Sequence, residues 1–425
     1  MREFHFKAMT ANDMLYDLCI IGAGPMGSAA ARHATLIEPG LKVCVIGPKE
    51  PKNYQETLEC SHGIFSSHYD EGRIATLLHQ WQSRAELARR SQSRFSEIAQ
   101  QTGIEFYERV GHLVIGNQND PYIQRVQKIM ACMKTQVEIL DKRGLSEKYP
   151  FLSQTLSEDT FILSESSGYV SPRRLIKAQL KAARLQGCAL IDDVVDHVTE
   201  VNQSDGSKQM KVSTRKGQIY LARKVLLAPG GFIGFRDLLP KGKKLDIKLM
   251  KPRLAFAELT DRDVRRLSNM PVITWKDKLR SIHCYILPPI KYPDGKYYIK
   301  IGRRSEEEFH SADEVAEYFK RDPSEKAADS ELLGLLLKLI KDLEVVSSHG
   351  DSCFTAHTPT GRLYCDMITP TLGVAAVGNG CGVDTSEEIG NMAARMIVSG
   401  RWNHDLPYEK FKAKFKVESS VPSSL

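Results

Sequence analysis

Apolar residues near the start of the chain form short unbroken runs rather than alternating with polar ones. Leu18-Cys19-Ile20-Ile21 is the first run, and Val43-Cys44-Val45-Ile46, ending at Gly47, is the second. Unbroken runs bounded by glycine predict parallel strands covered on both faces. Between them, an alanine-rich stretch with Ala29, Ala30, Ala31 and Ala34 predicts a helix. A polar amphipathic helix is predicted around Trp81 to Gln101, stopped by Gly103. A short strand at His112-Leu113-Val114-Ile115 and a helix begun by Pro121 follow. Ser171 as N-cap and Pro172 at the first helical position open another helix, closed by Gly187. Residues 194–201 and 210–227 predict successive short strands, consistent with a three-stranded crossover. Residues 241–349 read as an inserted block, with strands around 253–259, 282–287 and 297–301 before a helical region from Asp313 to Val345. Its leucine-rich piece at 332–340 reads as core. A final block ends in a helix closing near Gly400.

Three glycine-rich turns punctuate this pattern. The first, Gly22-Ala23-Gly24-Pro25-Met26-Gly27, joins the first strand to the first helix. Gly22 permits the tight turn, Gly24 lets backbone approach a pyrophosphate, and Gly27 lets the helix lie close to the sheet. The helix N-terminus then aims free N–H groups at the phosphates. This strand–turn–helix context reads as a dinucleotide site. An acidic residue that binds ribose normally follows the second strand, but here Gly47 stands there, with Glu50 three residues on. The second turn, Ala228-Pro229-Gly230-Gly231, reads equally as a structural turn or as a contact with a flat ligand. The third, Asn379-Gly380-Cys381-Gly382-Val383-Asp384, opens the last helix, where a dipole meets negative charge. The polar loop Cys60 to Ile74, with Ser66, Ser67, His68 and Arg73, suits a ligand-side loop as well as a plain connection.

Bulk properties narrow the class. The chain has 425 residues and a formal net charge of +7, scattered rather than clustered, so no nucleic-acid groove is expected. Nine cysteines at irregular spacing, without a CxxC pair, argue against a disulfide framework or a zinc site and for a reducing compartment. No apolar stretch is long enough to span a bilayer. The expected location is cytoplasmic; the terminal Ser423-Ser424-Leu425 only approximates a peroxisomal address.

The order of these pieces resembles the flavin-dependent amine oxidases of the D-amino-acid-oxidase superfamily, in the branch of monomeric sarcosine, N-methyl-amino-acid, pipecolate and fructosyl-amine oxidases. The resemblance runs from about residue 14 to 402. Ser66-Ser67-His68 with Arg73-Ile74 is similar to that family's loop against the flavin, and Ala228-Pro229-Gly230-Gly231 to its second cofactor motif. Cys353-Phe354-Thr355-Ala356-His357-Thr358-Pro359 matches the pattern whose cysteine carries the flavin covalently, which implies FAD bound through Cys353; Cys365 and Cys381 come second. Tyr298-Ile299-Lys300-Ile301-Gly302 resembles the strand that places an ammonium beside the flavin for oxygen activation. Read from the residues alone, a lysine between two isoleucines on a strand faces solvent.

The resemblance implies a doubly wound α/β FAD-binding domain (14–105, 165–240 and 350–402), with a discontinuous mixed-sheet α+β substrate domain (106–164 and 241–349) and flexible tails at 1–13 and 413–425. It implies catalytic roles for Lys300 and Arg73, and cofactor contacts from Gly22, Gly24, Pro25, Met26, Gly27, Ser66, Ser67, His68, Arg73, Gly230, Gly231, Cys353, Gly380 and Gly382. A monomer that oxidises a small secondary amine with O2 to an imine and H2O2 is expected, with an electron carrier in place of O2, or a flavin protein without turnover, as the alternatives. His68 and His357 are expected in the cofactor shell rather than as general bases. Two positions depart from the family: its carboxylate-binding Arg and Lys correspond here to Thr76 and Asp384. Asp384 repels a carboxylate and attracts a cation, so the substrate is expected not to bind as a simple amino acid does in sarcosine oxidation, carrying either no carboxylate or a second cationic group, unless Arg303 and Arg304 supply another clamp.

Overall fold

The computed structural model describes residues 15–154, 156, 158–277 and 282–416. The expectations for 1–13 and for the terminal Ser423-Ser424-Leu425 lie outside the described residues.

Two eight-stranded sheets carry the fold. In the first, Leu15–Ile21 is central, pairing in parallel with Val43–Ile46 on one side and Ile219–Leu227 on the other. Ala189–Ile191 and Leu372–Ala376 extend this parallel core outward. Cys19, Ile20, Cys44 and Val45 are almost wholly buried, as unbroken apolar runs require. Val195–Asn202 and Lys208–Thr214 add the antiparallel crossover. The helix Pro25–Ile37 packs against Ser386–Ser399 and Pro172–Leu185. Contact with Ser386–Ser399 is close because a Cβ at Gly390 would lie 2.3 Å from the Ala29 Cβ.

The second sheet is mixed, ordered Val345–His349, Arg253–Leu259, Tyr297–Arg303, Ile282–Lys291, Val272–Asp277, His112–Gly116, Thr160–Ser164 and Glu138–Leu140. Its neighbours are antiparallel except Val272–Asp277 with His112–Gly116. One face, with Ile273, Trp275, Cys284, Ile286, Ile299 and Ile301, packs on Leu332, Leu336 and Leu339. The opposite face carries Thr274, Lys276, Tyr285, Leu287 and Lys300 by register (Thr274 with Tyr285, Leu287 with Lys300).

Three boundaries differ from the sequence reading. The strand predicted to end at 287 continues to Lys291, because a register shift between Leu287 and Ile290 absorbs Pro288 and Pro289, which cannot donate to the ladder. The single helical region expected from Asp313 to Val345 divides into Ala312–Lys320 and Ser330–Leu339, separated by a short turn at Pro323 and restarted by Asp329, whose carboxylate accepts from the Leu332 N–H at 3.1 Å. Residues 413–416, placed by sequence in a flexible tail, are packed: Ala413 is buried, and the backbone of Lys414 and Lys416 bonds that of Asp246 and Lys244.

Candidate active site

The first glycine turn is shaped by contacts that exclude any side chain. Gly22 has φ +108°, and a Cβ there would lie 2.3 Å from the Ala228 carbonyl oxygen; one at Gly27 would lie 1.9 Å from the Gly22 oxygen. At Gly24 the same construction meets only His68 Nδ1, at 4.0 Å, so that side of the turn is open to a ligand. Gly24 caps the helix without a side chain, leaving the first N–H groups for phosphate. The missing ribose acid has a steric reason: a Cβ at Gly47 would sit 2.7 Å from the Ala23 nitrogen. Glu50 is turned to Arg173, whose Nε donates to it at 2.6 Å. These residues fit an FAD.

Beside this turn the Cys60–Ile74 loop delivers a buried charged cluster. Asp70 is its hub. Its carboxylate is paired with the Lys300 ammonium and the Arg73 guanidinium, and accepts from the Tyr292 hydroxyl at 2.7 Å. Lys300 also donates to the Gly72 carbonyl at 3.0 Å and is 1% exposed, so this strand lysine faces inward. Its Nζ lies 5.6 Å from the Phe256 ring centre and 5.9 Å from that of Tyr285. Burial, then the nearby Arg73, pushes the Lys300 ammonium well below its ordinary pKa, with Cys353 and Asp351 opposing; the ion pair with Asp70 favours the charged form. Room for Tyr285 comes from Gly302, where a Cβ would meet the tyrosine ring at 2.7 Å.

Arg73 ties the cluster to Cys353. Its Nη2 donates to the Ser67 carbonyl at 2.9 Å and approaches Cys353 Sγ at 3.5 Å. Cys353 is buried beside Phe256 and Tyr298, whereas Cys365 is wholly buried within a strand of the first sheet. The Thr358 of the same motif pins the third glycine turn: Asn379 Oδ1 accepts from its N–H at 2.9 Å. That turn holds Val377 at φ 73°, Asn379 at φ 52° and Gly380 at φ 76°; a positive φ at a β-branched valine is held by its surroundings. Gly378 and Gly382 lie back to back, a Cβ on Gly378 falling 2.5 Å from the Gly382 Cα. Gly230, at φ 60°, has open space where a Cβ would go, while Gly231 lies against Phe354 and Leu249.

Burial, with Arg173 and Arg73 adding to it, lowers the His68 pKa to about 3, and burial lowers that of His357 to about 4, so both imidazoles are neutral at ordinary pH. Thr76 and Asp384 are buried and engaged within the protein. Thr76 Oγ1 lies 2.6 Å from His112 Nδ1, whose Nε2 lies 2.9 Å from Thr274 Oγ1, and Asp384 Oδ2 lies 3.2 Å from His79 Nε2. Arg303 points away, bidentate on Glu331, whereas Arg304 lies on the third turn and donates to the Asn379 carbonyl at 3.2 Å. Sequence reasoning missed Asp70, Tyr285 and Tyr292. Asp70 stands inside the loop already singled out; Tyr285 is identified only by strand register, and Tyr292 lies in the turn after Lys291, its N–H donating to the Lys296 carbonyl.

Comparison with known proteins matches this architecture. In sequence, the chain is 28% identical over 229 residues to N-methyl-L-tryptophan oxidase of Yersinia pestis (strain Pestoides F), a match covering 53% of this chain and 56% of that one. The chain thus spans little more than half the length of the curated relatives it matches. In structure, it is similar to NikD, described as an unusual amino acid oxidase essential for nikkomycin biosynthesis (TM-score 0.70, 16% identity, 95% and 98% of the two chains). Glycine oxidase from Geobacillus kaustophilus (TM-score 0.67, 18% identity, 95% and 100%) shares the fold too. Residues 17–396 match the family described as DAO, FAD dependent oxidoreductase, and the chain belongs to that family.

Proposed function

We propose that the protein is an oxidase of a small secondary amine, with FAD attached through Cys353 and O2 as electron acceptor. The FAD-binding part is then built from 14–105, 165–240 and 350–402, and the amine lies between it and the mixed sheet of 106–164 and 241–349. Bound FAD supplies a two-electron sink that takes a hydride from the carbon beside the amine nitrogen and passes the electrons to O2, leaving an imine and H2O2. Gly22, Gly24 and Gly27, with Pro25 and Met26, form the cradle for its phosphates; Ser66, Ser67, His68, Gly230, Gly231, Gly380 and Gly382 line its remaining edges. Lys300 holds a positive charge in a water-poor pocket, where it stabilises negative charge developing on O2. Asp70 and the Gly72 carbonyl fix that ammonium in place, and Arg73 joins it to Cys353. The single observation that carries this reading is the inward, 1%-exposed Lys300 beside the Arg73–Cys353 contact.

The visible spectrum of the purified protein before and after acid precipitation tests it. Yellow colour is expected to stay with the pellet and to move to the supernatant in Cys353→Ser. Colour released from the native protein overturns the covalent link. A flavin bleached by amines yet not recovering in air overturns O2 as acceptor.

A further inference from the structure

Lys300 is not the only cation on its side of the mixed sheet. Register pairs Lys276 with His283 and Thr274 with Tyr285, and alternation puts Lys276, His283 and Tyr285 on the face that carries Lys300. Arg304 lies four residues after Lys300, just past its strand, and its Nη2 would lie 3.8 Å from a Cβ on Gly380 of the third turn. Lys276 Nζ touches His283 Nε2 and lies 4.5 Å over the ring of Tyr122, from the helix Pro121–Met133.

Among the described residues, neither Lys276 nor Arg304 forms an ion pair. The facing carboxylate, Asp120, is occupied as the cap of Pro121–Met133, accepting from the Tyr122 N–H at 2.7 Å. Arg303 does not join the group, because Glu331 holds it on the other side. Burial, with the charge of Arg304 adding to it, lowers the Lys276 pKa to about 7, and burial with Lys276 lowers that of His283 to about 4. Lys276 and Arg304 together outnumber the one carboxylate, Asp120, that opposes them, and an arriving anion relieves the remaining repulsion. Meanwhile Thr76 is engaged by His112, Asp384 meets His79 through Oδ2 alone with its Oδ1 unpartnered, and neither position presents a cation.

We propose that Lys276 and Arg304, with His283 and the Tyr122 ring beside them, form a relocated clamp for a carboxylate of the amine substrate. The substrate class is then a secondary amine bearing a carboxylate, held at Lys276 and Arg304 rather than at positions 76 and 384. This inference rests on the reading that this sheet face receives the amine.

Calorimetric titration of the purified holoprotein with benzoate and with its uncharged counterpart benzamide tests the clamp. Benzoate is expected to bind the native protein more tightly than benzamide. Lys276→Met and Arg304→Met are each expected to weaken benzoate about tenfold or more, the loss of one hydrogen bond to a charged group, with benzamide unchanged. Lys276→Arg is expected to keep most of the benzoate affinity. Benzoate binding no tighter than benzamide, or benzoate affinity unchanged in both methionine variants, overturns the clamp. Arg304 is exposed, so its variant decides the matter if Lys276→Met does not fold. The colour of the same samples reports separately on the flavin reading: a colourless protein that still binds benzoate through Lys276 loses that reading and keeps the clamp.

Discussion

Two charge clusters in this protein follow opposite rules. Where the helices Pro25–Ile37, Gln82–Thr102 and Ser386–Ser399 meet, each cation has a carboxylate. Glu387 takes Arg32, His33 and Arg94; Glu388 takes Arg94, Arg90 and His404; Arg90 also reaches Glu86 and Asp405. Beside the mixed sheet, Lys300 and Arg73 share Asp70, and among the described residues Lys276 and Arg304 form no ion pair. The helix cluster is closed, with its charge balanced inside the protein. The sheet cluster keeps a surplus of positive charge, which is useful only where an anion or a developing negative charge arrives. Burial of charge therefore does not mark a site; imbalance does.

Breaking the closed cluster gives the largest expected effect. Glu387→Gln keeps the shape but removes the carboxylate that two guanidiniums and the His33 imidazole face, and its side chain is fully buried. Removing one partner of a buried pair costs about 3–5 kcal/mol, read as a shift of urea unfolding followed by helical circular dichroism. The flavin spectrum of the folded variant is expected to match the native one. A stability change below about 1 kcal/mol would show that the network is not what holds the three helices together.

Lys300→Met comes next and acts on rate rather than stability. Loss of a positioned charge that stabilises developing negative charge lowers the rate about 10²–10³-fold. The effect is expected in reoxidation of the reduced protein by O2, measured in stopped flow, with reduction by the amine much less affected. Equal losses in both half-reactions would move Lys300 from oxygen activation to substrate binding.

These clusters also differ in how far sequence discloses them. The Gly22–Gly27 turn is legible because strand, turn and helix are contiguous, and its steric reasons lie within one unit of fold. Lys300 read from its neighbours alone faces solvent; only the likeness of its strand to a family motif turned it inward. Asp70 was invisible because its partners Tyr292 and Lys300 lie 222 and 230 positions away. The pairing of Lys276 with His283 depends on strand register, which the intervening residues do not encode locally. Gly47 shows the opposite case: its departure from the expected acid was plain in sequence, but its reason, contact with the Ala23 backbone, was not.

The smallest expected effect separates the clusters by pH. His68 and His112, beside the site, are pushed by burial to a pKa of about 3. Their folded values lie below the unfolded value of about 6.5, so the unfolded chain takes up protons that the folded one refuses. Stability then falls as pH drops below about 6.5, by roughly 1.4 kcal/mol for each of the two at pH 5.5. Glu388 of the closed cluster behaves oppositely. Although burial alone raises its pKa, hydrogen bonds and charge from His404, Arg94 and Asn391 bring it down to about 2, so its contribution is complete above about 4.5 and is lost only below that. Urea unfolding at pH 7.5, 5.5 and 4.5 therefore reports on the buried histidines before the helix carboxylates begin to titrate. His33 of the helix cluster is also lowered by burial and loads on the same window, so the site's share is read from a variant. His112→Asn is expected to flatten the loss between pH 7.5 and 5.5 by about the single-histidine amount. An unchanged slope would mean that His112 takes up its proton in the folded state, its Thr76 and Thr274 hydroxyls both turning to accept from the imidazolium.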